Sequence, residues 1–116
     1  ADATVLNNGA ILAIGDGSIG ILSEGPNAYI VNNGSIEALG VATYGIINDA
    51  SGAHLDNRGF IGVSGVAAAG ILGAGSNLTI SNSGLIEAYG IAASGIIWQN
   101  NGLRLDNSGS VPAALT

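Results

Sequence analysis

Residues 32–56 read NNGSIEALGVATYGIINDASGAHLD, and residues 57–81 read NRGFIGVSGVAAAGILGAGSNLTIS. Set one above the other, they agree at fixed positions: Asn-x-Gly opens both, and Ile, a small residue, Gly and a Gly-Ile pair follow at identical offsets. The same tripeptide occurs at Asn7-Asn8-Gly9, Asn82-Ser83-Gly84 and Asn107-Ser108-Gly109. Each recurrence falls 25 residues after the last, with no insertion. The chain is therefore a tandem repeat, and the repeat decides its architecture.

The aligned columns carry the physics. Ile11, Ile36, Ile61, Ile86 and Val111 stand two residues after the glycine. Ala13, Ala38, Val63, Ala88 and Ala113 come two further on, followed by Gly15, Gly40, Gly65 and Gly90. Gly20, Gly45, Gly70 and Gly95 each precede an isoleucine. Before the asparagine, Val5, Ile30, Leu55, Ile80 and Leu105 are all aliphatic, and Ala3, Ala28, Ala53, Leu78 and Leu103 lie two places earlier. Apolar columns two apart, with variable polar residues between them, are strand alternation, and β-branched Ile suits a pleated surface. A unit of about three short strands buries its apolar face only by stacking on its neighbours. The expected fold is all-β: a right-handed parallel β-helix of four to five coils starting near Asn7, Asn32, Asn57, Asn82 and Asn107. Helical repeats need a 3.6-residue apolar period and few glycines, so they do not fit. Residues 1–116 form a single domain on this view, one piece of something longer.

The Asn column is in phase with the inward residues yet polar. Stacked amides would hydrogen-bond along it as a ladder, and the glycine two places on would supply a positive φ at the corner. A second feature strains simple alternation. Ile21-Leu22, Ile46-Ile47, Ile71-Leu72 and Ile96-Ile97 are adjacent apolar pairs. Either a bulge at the preceding glycine turns both inward, or an Ile/Leu stripe is exposed as a contact patch, with Ala42, Ala67 and Ala92 nearby.

Composition narrows function. The 116 residues include 20 glycines, no cysteine, two basic and eight acidic residues, for a net charge of −6; charged residues are 9% against roughly 25% in an ordinary domain. With 47% hydrophobic residues, disorder is not expected. Arg58 and Arg104 are too few for a nucleic-acid backbone, and one histidine without cysteine builds no His/Cys metal site. The charge-free Gly/Ala-rich stretch 59–75 is about 17 residues against the roughly 20 of a membrane span, and it aligns with repeats that carry Asp16, Glu24 and Asp49, so no membrane insertion is expected. Nothing near Ala1 has the pattern of a signal peptide.

Units of the form N-S-G-x-I-x-A-x-G followed by G-I resemble the passenger domains of Gram-negative autotransporters and related secreted adhesins, from Ala3 to about Ala114. The resemblance implies a right-handed β-helix displayed outside the outer membrane, serving as a rigid stalk in cell-surface attachment and virulence. Its implied partners are a host or bacterial surface protein or glycan. The family's C-terminal barrel has no counterpart in these residues.

Several motifs have the residue types of a chemical site. Gly15-Asp16-Gly17-Ser18-Ile19-Gly20 matches G-x-G-x-x-G, but Gly15 and Gly20 are repeat glycines and no βαβ unit follows. Asp56 with Asp106, and Glu37 with Glu87, share columns two coils apart, roughly 9–10 Å, near the upper end for an inverting carboxylate pair. His54 and Arg104 stand outward on the same strands, with Arg58 round the corner. These groups could mimic the groove of a polysaccharide lyase or hydrolase, but a solvated face with weakly paired charges accounts for them better. Phe60 and Tyr89 are placed at or beside outward positions. Trp98 falls in the variable stretch SEGPN, NDASG, GAGSN, WQNNG, the expected loop, where it would cover the next coil or anchor a partner. Asn77-Leu78-Thr79 forms a glycosylation sequon. Thr79 is isolated, so there is no flat threonine face of the ice-binding kind. The sequence thus predicts a non-catalytic structural or adhesion module with no catalytic, cofactor or metal residues. The alternative is a fragment of a polysaccharide-acting enzyme. Unpaired strand edges at the ends, with Pro112 blunting one of them, and the side stripe would favour self-association along the axis or side by side.

Overall fold

A computed structural model describes residues 3–99 and 102–111. Within them no helix forms, and thirteen strands follow one another three to a coil. The first coil holds β1 (Thr4–Asn7), β2 (Ala10–Ile14) and β3 (Ile19–Ser23). The second holds β4 (Tyr29–Asn32), β5 (Ser35–Leu39) and β6 (Tyr44–Asn48). β7 (His54–Asn57), β8 (Phe60–Ser64) and β9 (Ala69–Gly73) make the third, and β10 (Thr79–Asn82), β11 (Leu85–Tyr89) and β12 (Ser94–Trp98) the fourth. β13 (Arg104–Asn107) opens a fifth.

Every pairing is parallel and in register at 25 residues. The first sheet runs β1-β4-β7-β10-β13, the second β2-β5-β8-β11 and the third β3-β6-β9-β12. Ile11 pairs with Ile36, Ile36 with Ile61 and Ile61 with Ile86. The chain is thus a parallel β-solenoid of about four turns. Its core is a set of stacked aliphatic columns: Ile30, Leu55 and Ile80 from the first sheet, Ile36, Ile61 and Ile86 from the second, and Ile46, Ile71 and Ile96 from the third, all essentially solvent-free. Ala113 and Pro112 lie outside the described residues.

The asparagine column is the polar spine of this core. Asn7 Nδ2 donates to Asn32 Oδ1 (2.8 Å), Asn32 to Asn57 (2.9 Å), Asn57 to Asn82 (2.8 Å) and Asn82 to Asn107 (2.9 Å). Each of the first four amides also donates to a backbone carbonyl 28 residues on, such as Asn32 to Phe60 O at 3.0 Å. This satisfies groups that would otherwise be buried unpaired.

The corner glycine beside it works differently from the expectation. Gly34, Gly59, Gly84 and Gly109 do not take a positive φ. A Cβ on any of them would collide with the carbonyl oxygen of the equivalent glycine one coil back. Glycine is needed there for close approach of coil on coil. The left-handed backbone sits at the other two corners: at Asn27, Gly52, Asn77 and Gly102, between the third and first sheets, with φ between 54° and 81°, and between the second and third sheets. Gly15, Gly40, Gly65 and Gly90 have φ between 125° and 144°, and two residues later Gly17, Ala42, Ala67 and Ala92 have φ of 72°, 54°, 58° and 59°. Three alanines therefore carry a conformation that costs a non-glycine residue roughly 1–2 kcal/mol.

The adjacent apolar pairs resolve as an exposed stripe. Ile21, Ile46, Ile71 and Ile96 are buried, while Leu22 is 52% exposed and Ile47, Leu72 and Ile97 are half-buried in its column. Two successive side-chain positions do turn inward, but they are the glycine and the first isoleucine. A Cβ on Gly45 would stand 2.6 Å from Ile61 Cγ2 and 2.6 Å from Gly70 O, so the isoleucine of the next coil already fills that space.

Candidate functional site

Of the carboxylates singled out from the sequence, Asp56 and Asp106 stand on the outward face of the first sheet. His54 pairs in register with Tyr29 and Thr79, and Thr79 with Arg104, forming one outward column. Val31, Asp56, Ser81 and Asp106 form the other. Ser81 thus lies between the two aspartates. Serine is short, and the row it occupies is a trough between two longer side chains. An open depression of about 400 Å³ results, lined by Asp56, Ser81, Asn82, Ser83, Asp106, Asn107 and Ser108.

The charges in this trough are paired locally instead of converging. Arg58 donates from Nε and Nη2 to Asp56 Oδ2, both at 2.9 Å. Arg104 Nε stands 3.5 Å from Asp106 Oδ2. Each aspartate is turned to the arginine two residues away along the chain, and the register holds the aspartates two strand spacings apart, roughly 9–10 Å. Exposed pairs of this kind contribute little to stability, about 0–1 kcal/mol. Beside the trough, the rings of Tyr29 and His54 pack at 4.9 Å between centroids with 44° between planes. The face therefore offers an aromatic patch at one end and hydroxyls, carboxylates and guanidinium groups at the other.

The second sheet does not bring its carboxylates together. Gly62 lies between Glu37 and Glu87 in register, and the Phe60 ring lies over Gly62 in the place a side chain would fill. Glu87 accepts a hydrogen bond from the Tyr89 hydroxyl. The G-x-G-x-x-G match is the left-handed corner just described. There Asp16 Oδ1 accepts from the Val41 backbone N–H at 3.0 Å, capping the turn of the next coil.

Trp98 departs from its expected place. It is the last residue of β12, in register with Gly73, and not part of a loop. The column runs Ser23, Asn48, Gly73, Trp98, and in the third coil a neighbouring side chain takes up the space its residue leaves. In the second coil the equivalent positions hold Asn48, which donates to Ala50 O, and the small Ala53. In the third, Gly73 leaves a gap that Leu78 occupies. The sequence displays the exchange of Ala53 for Leu78, but its partner at Gly73 emerges only once the coils are stacked.

Among the described residues no group of three or more His, Cys, Asp or Glu side chains is arranged to hold a metal ion, and no helix is long and apolar enough to cross a membrane. Comparison with protein-family models, with curated proteins and with solved structures yields no match to this chain.

Proposed function

We propose that this chain is a non-catalytic scaffold: a rigid β-solenoid segment of a secreted protein displayed at a bacterial outer surface, in the manner of the autotransporter passengers its repeats resemble. Its role is to hold contact surfaces at fixed spacing for attachment to a surface protein or glycan. The observation that carries this reading is the uninterrupted 25-residue register. Every described strand continues its column without an inserted loop, so no wall rises to enclose a substrate. The trough at Ser81 is open, and its two aspartates are each engaged by an arginine. Two carboxylates acting as acid and base on one sugar bond need to converge on it. The contact face for a neutral glycan is the first sheet, where the Tyr29–His54 pair stands beside the trough.

The alternative, a fragment of a polysaccharide lyase or hydrolase, rests on the same Asp56 and Asp106. One experiment separates the two. The purified chain is incubated with immobilised cells and with a set of neutral and acidic polysaccharides, scoring both retention and release of reducing ends or unsaturated products. The scaffold reading predicts saturable retention without product. Product formation that disappears in Asp56→Asn would overturn it in favour of the enzyme.

A further inference from the structure

The corner between the second and third sheets carries an apolar ridge that neither the core nor the proposed attachment face uses. Val41, Val66 and Ile91 stack in one column, tied by backbone hydrogen bonds from Gly17 N to Val41 O, Ala42 N to Val66 O and Ala67 N to Ile91 O, at 2.8–2.9 Å. They are 48%, 45% and 78% exposed. Two residues earlier along each coil, Leu39 and Tyr89 flank Ser64 in a parallel column, and both are exposed. Together with the alanines of the same turn, these side chains present roughly 700 Å² of mostly apolar surface, more than the 300–600 Å² of the largest patch on an ordinary monomer. In a chain of net charge −6, the column of Val41, Val66 and Ile91 carries no ionised group until Asp16 at its N-terminal end; the Glu87 carboxylate, bonded to the Tyr89 hydroxyl, lies at the flank of the other end.

We infer that this ridge is the interface of an antiparallel, two-fold symmetric pair of copies of this chain. Two features point to a second copy. The exposed area is the largest share of the ~800 Å² per partner that a standard interface buries. The side chains also repeat at the strand spacing, about 4.8 Å, so they interdigitate continuously only with a surface of the same period, which this chain supplies. A two-fold axis makes the contact self-complementary and closed. Antiparallel packing centred on Val66 sets Val41 of one copy against Ile91 of the other. It leaves both Asp16 carboxylates beyond the overlap, at opposite ends of the pair. A parallel arrangement would bring like charges together, and a pairing shifted by one coil would press Asp16 onto apolar surface, which is costly.

Sedimentation of the whole chain from micromolar to millimolar concentration tests this directly. The expected result is a reversible species of twice the 11.3 kDa chain mass. Val66→Lys, at an exposed corner position, should retain the circular dichroism spectrum and weaken association at least ~tenfold, because it sets an ammonium at the centre of the interface from both sides. Single cysteines in this cysteine-free chain report orientation: V66C oxidises to a covalent dimer, V41C cross-links with I91C, and V41C does not cross-link with itself. A monomer throughout the range, a dimer or open-ended polymer indifferent to Val66→Lys, or V41C self-cross-linking would each overturn the inference.

Discussion

Replacing Asn57 with leucine cuts the amide ladder at its middle rung. Asn57 Nδ2 donates to Asn82 Oδ1 at 2.8 Å and to Leu85 O at 3.3 Å, and its Oδ1 accepts from Asn32 Nδ2 at 2.9 Å. After the change, Asn32 keeps its bond to Phe60 O, but one of its N–H groups and Asn82 Oδ1 lose their partners. Both residues are about 1% exposed or less, so water does not replace the lost bonds. Two stranded groups at about 1–3 kcal/mol each outweigh the roughly 1.5–3 kcal/mol gained by burying an apolar side chain. Leucine's branched end must also fit a column spaced for flat amides. The expected net loss is about 2–3 kcal/mol, a fall in Tm on the order of 10–20 °C for a domain of this size. Urea unfolding followed by circular dichroism measures it. Asn33→Leu serves as the control: its amide also donates along a column, to Asn8 Oδ1 at 2.9 Å, but in solvent, and its loss should cost less than ~0.5 kcal/mol. If Asn57→Leu unfolded at the same urea concentration as Asn33→Leu, the inward amides would not be holding the coils together.

Other substitutions probe separate parts of the stack. Ala67→Gly, at φ 58° on an exposed corner, should raise stability by about 0.5–1 kcal/mol in thermal unfolding, since strain relief exceeds the entropy glycine adds to the unfolded chain. Gly45→Ala should lower it by at least ~2 kcal/mol, because the new methyl meets a backbone oxygen that has no room to move. Leu78→Ala empties the gap over Gly73 and should cost about 2–4 kcal/mol. Adding Gly73→Asn, which gives the third coil the Asn and Ala that the second coil holds at 48 and 53, should restore part of that loss, with a coupling of at least ~1 kcal/mol in a double-mutant cycle. Asp56→Asn should change stability by less than ~1 kcal/mol, as its partner Arg58 is more than half exposed.

The architecture was legible because a 25-residue period with no insertion leaves few ways to bury the isoleucines. The ladder was legible because Asn sits in phase with them. Conformation within the corners was not. Asn-x-Gly suggests a left-handed glycine, yet the demand there is for proximity between neighbouring backbones, a contact between residues 25 apart that no local pattern displays. The left-handed positions fall at the other two corners: Asn27, Gly52, Asn77 and Gly102 before the first sheet, and Gly17, Ala42, Ala67 and Ala92 between the second and third, where three alanines conceal them. Gly17 in the first coil was the one local sign, visible as a departure from the alanine of its column. Trp98 was misplaced because its neighbours Gln99 and Asn100 resemble a loop, while its pairing with Gly73 fixes it at a strand end. The outward face was harder still. The sequence places Asp56 and Asp106 in one column but does not tell that each turns to its own arginine and not across the serine between them.

The most direct test of the stacked-coil account is a methyl–methyl nuclear Overhauser spectrum of isoleucine-labelled protein. The predicted result is an unbroken series of cross-peaks from Ile11 to Ile36, Ile36 to Ile61 and Ile61 to Ile86, with a second series through Ile46, Ile71 and Ile96. Isoleucines that contact only partners three or four residues away, with no cross-peak at a separation of 25, would contradict it.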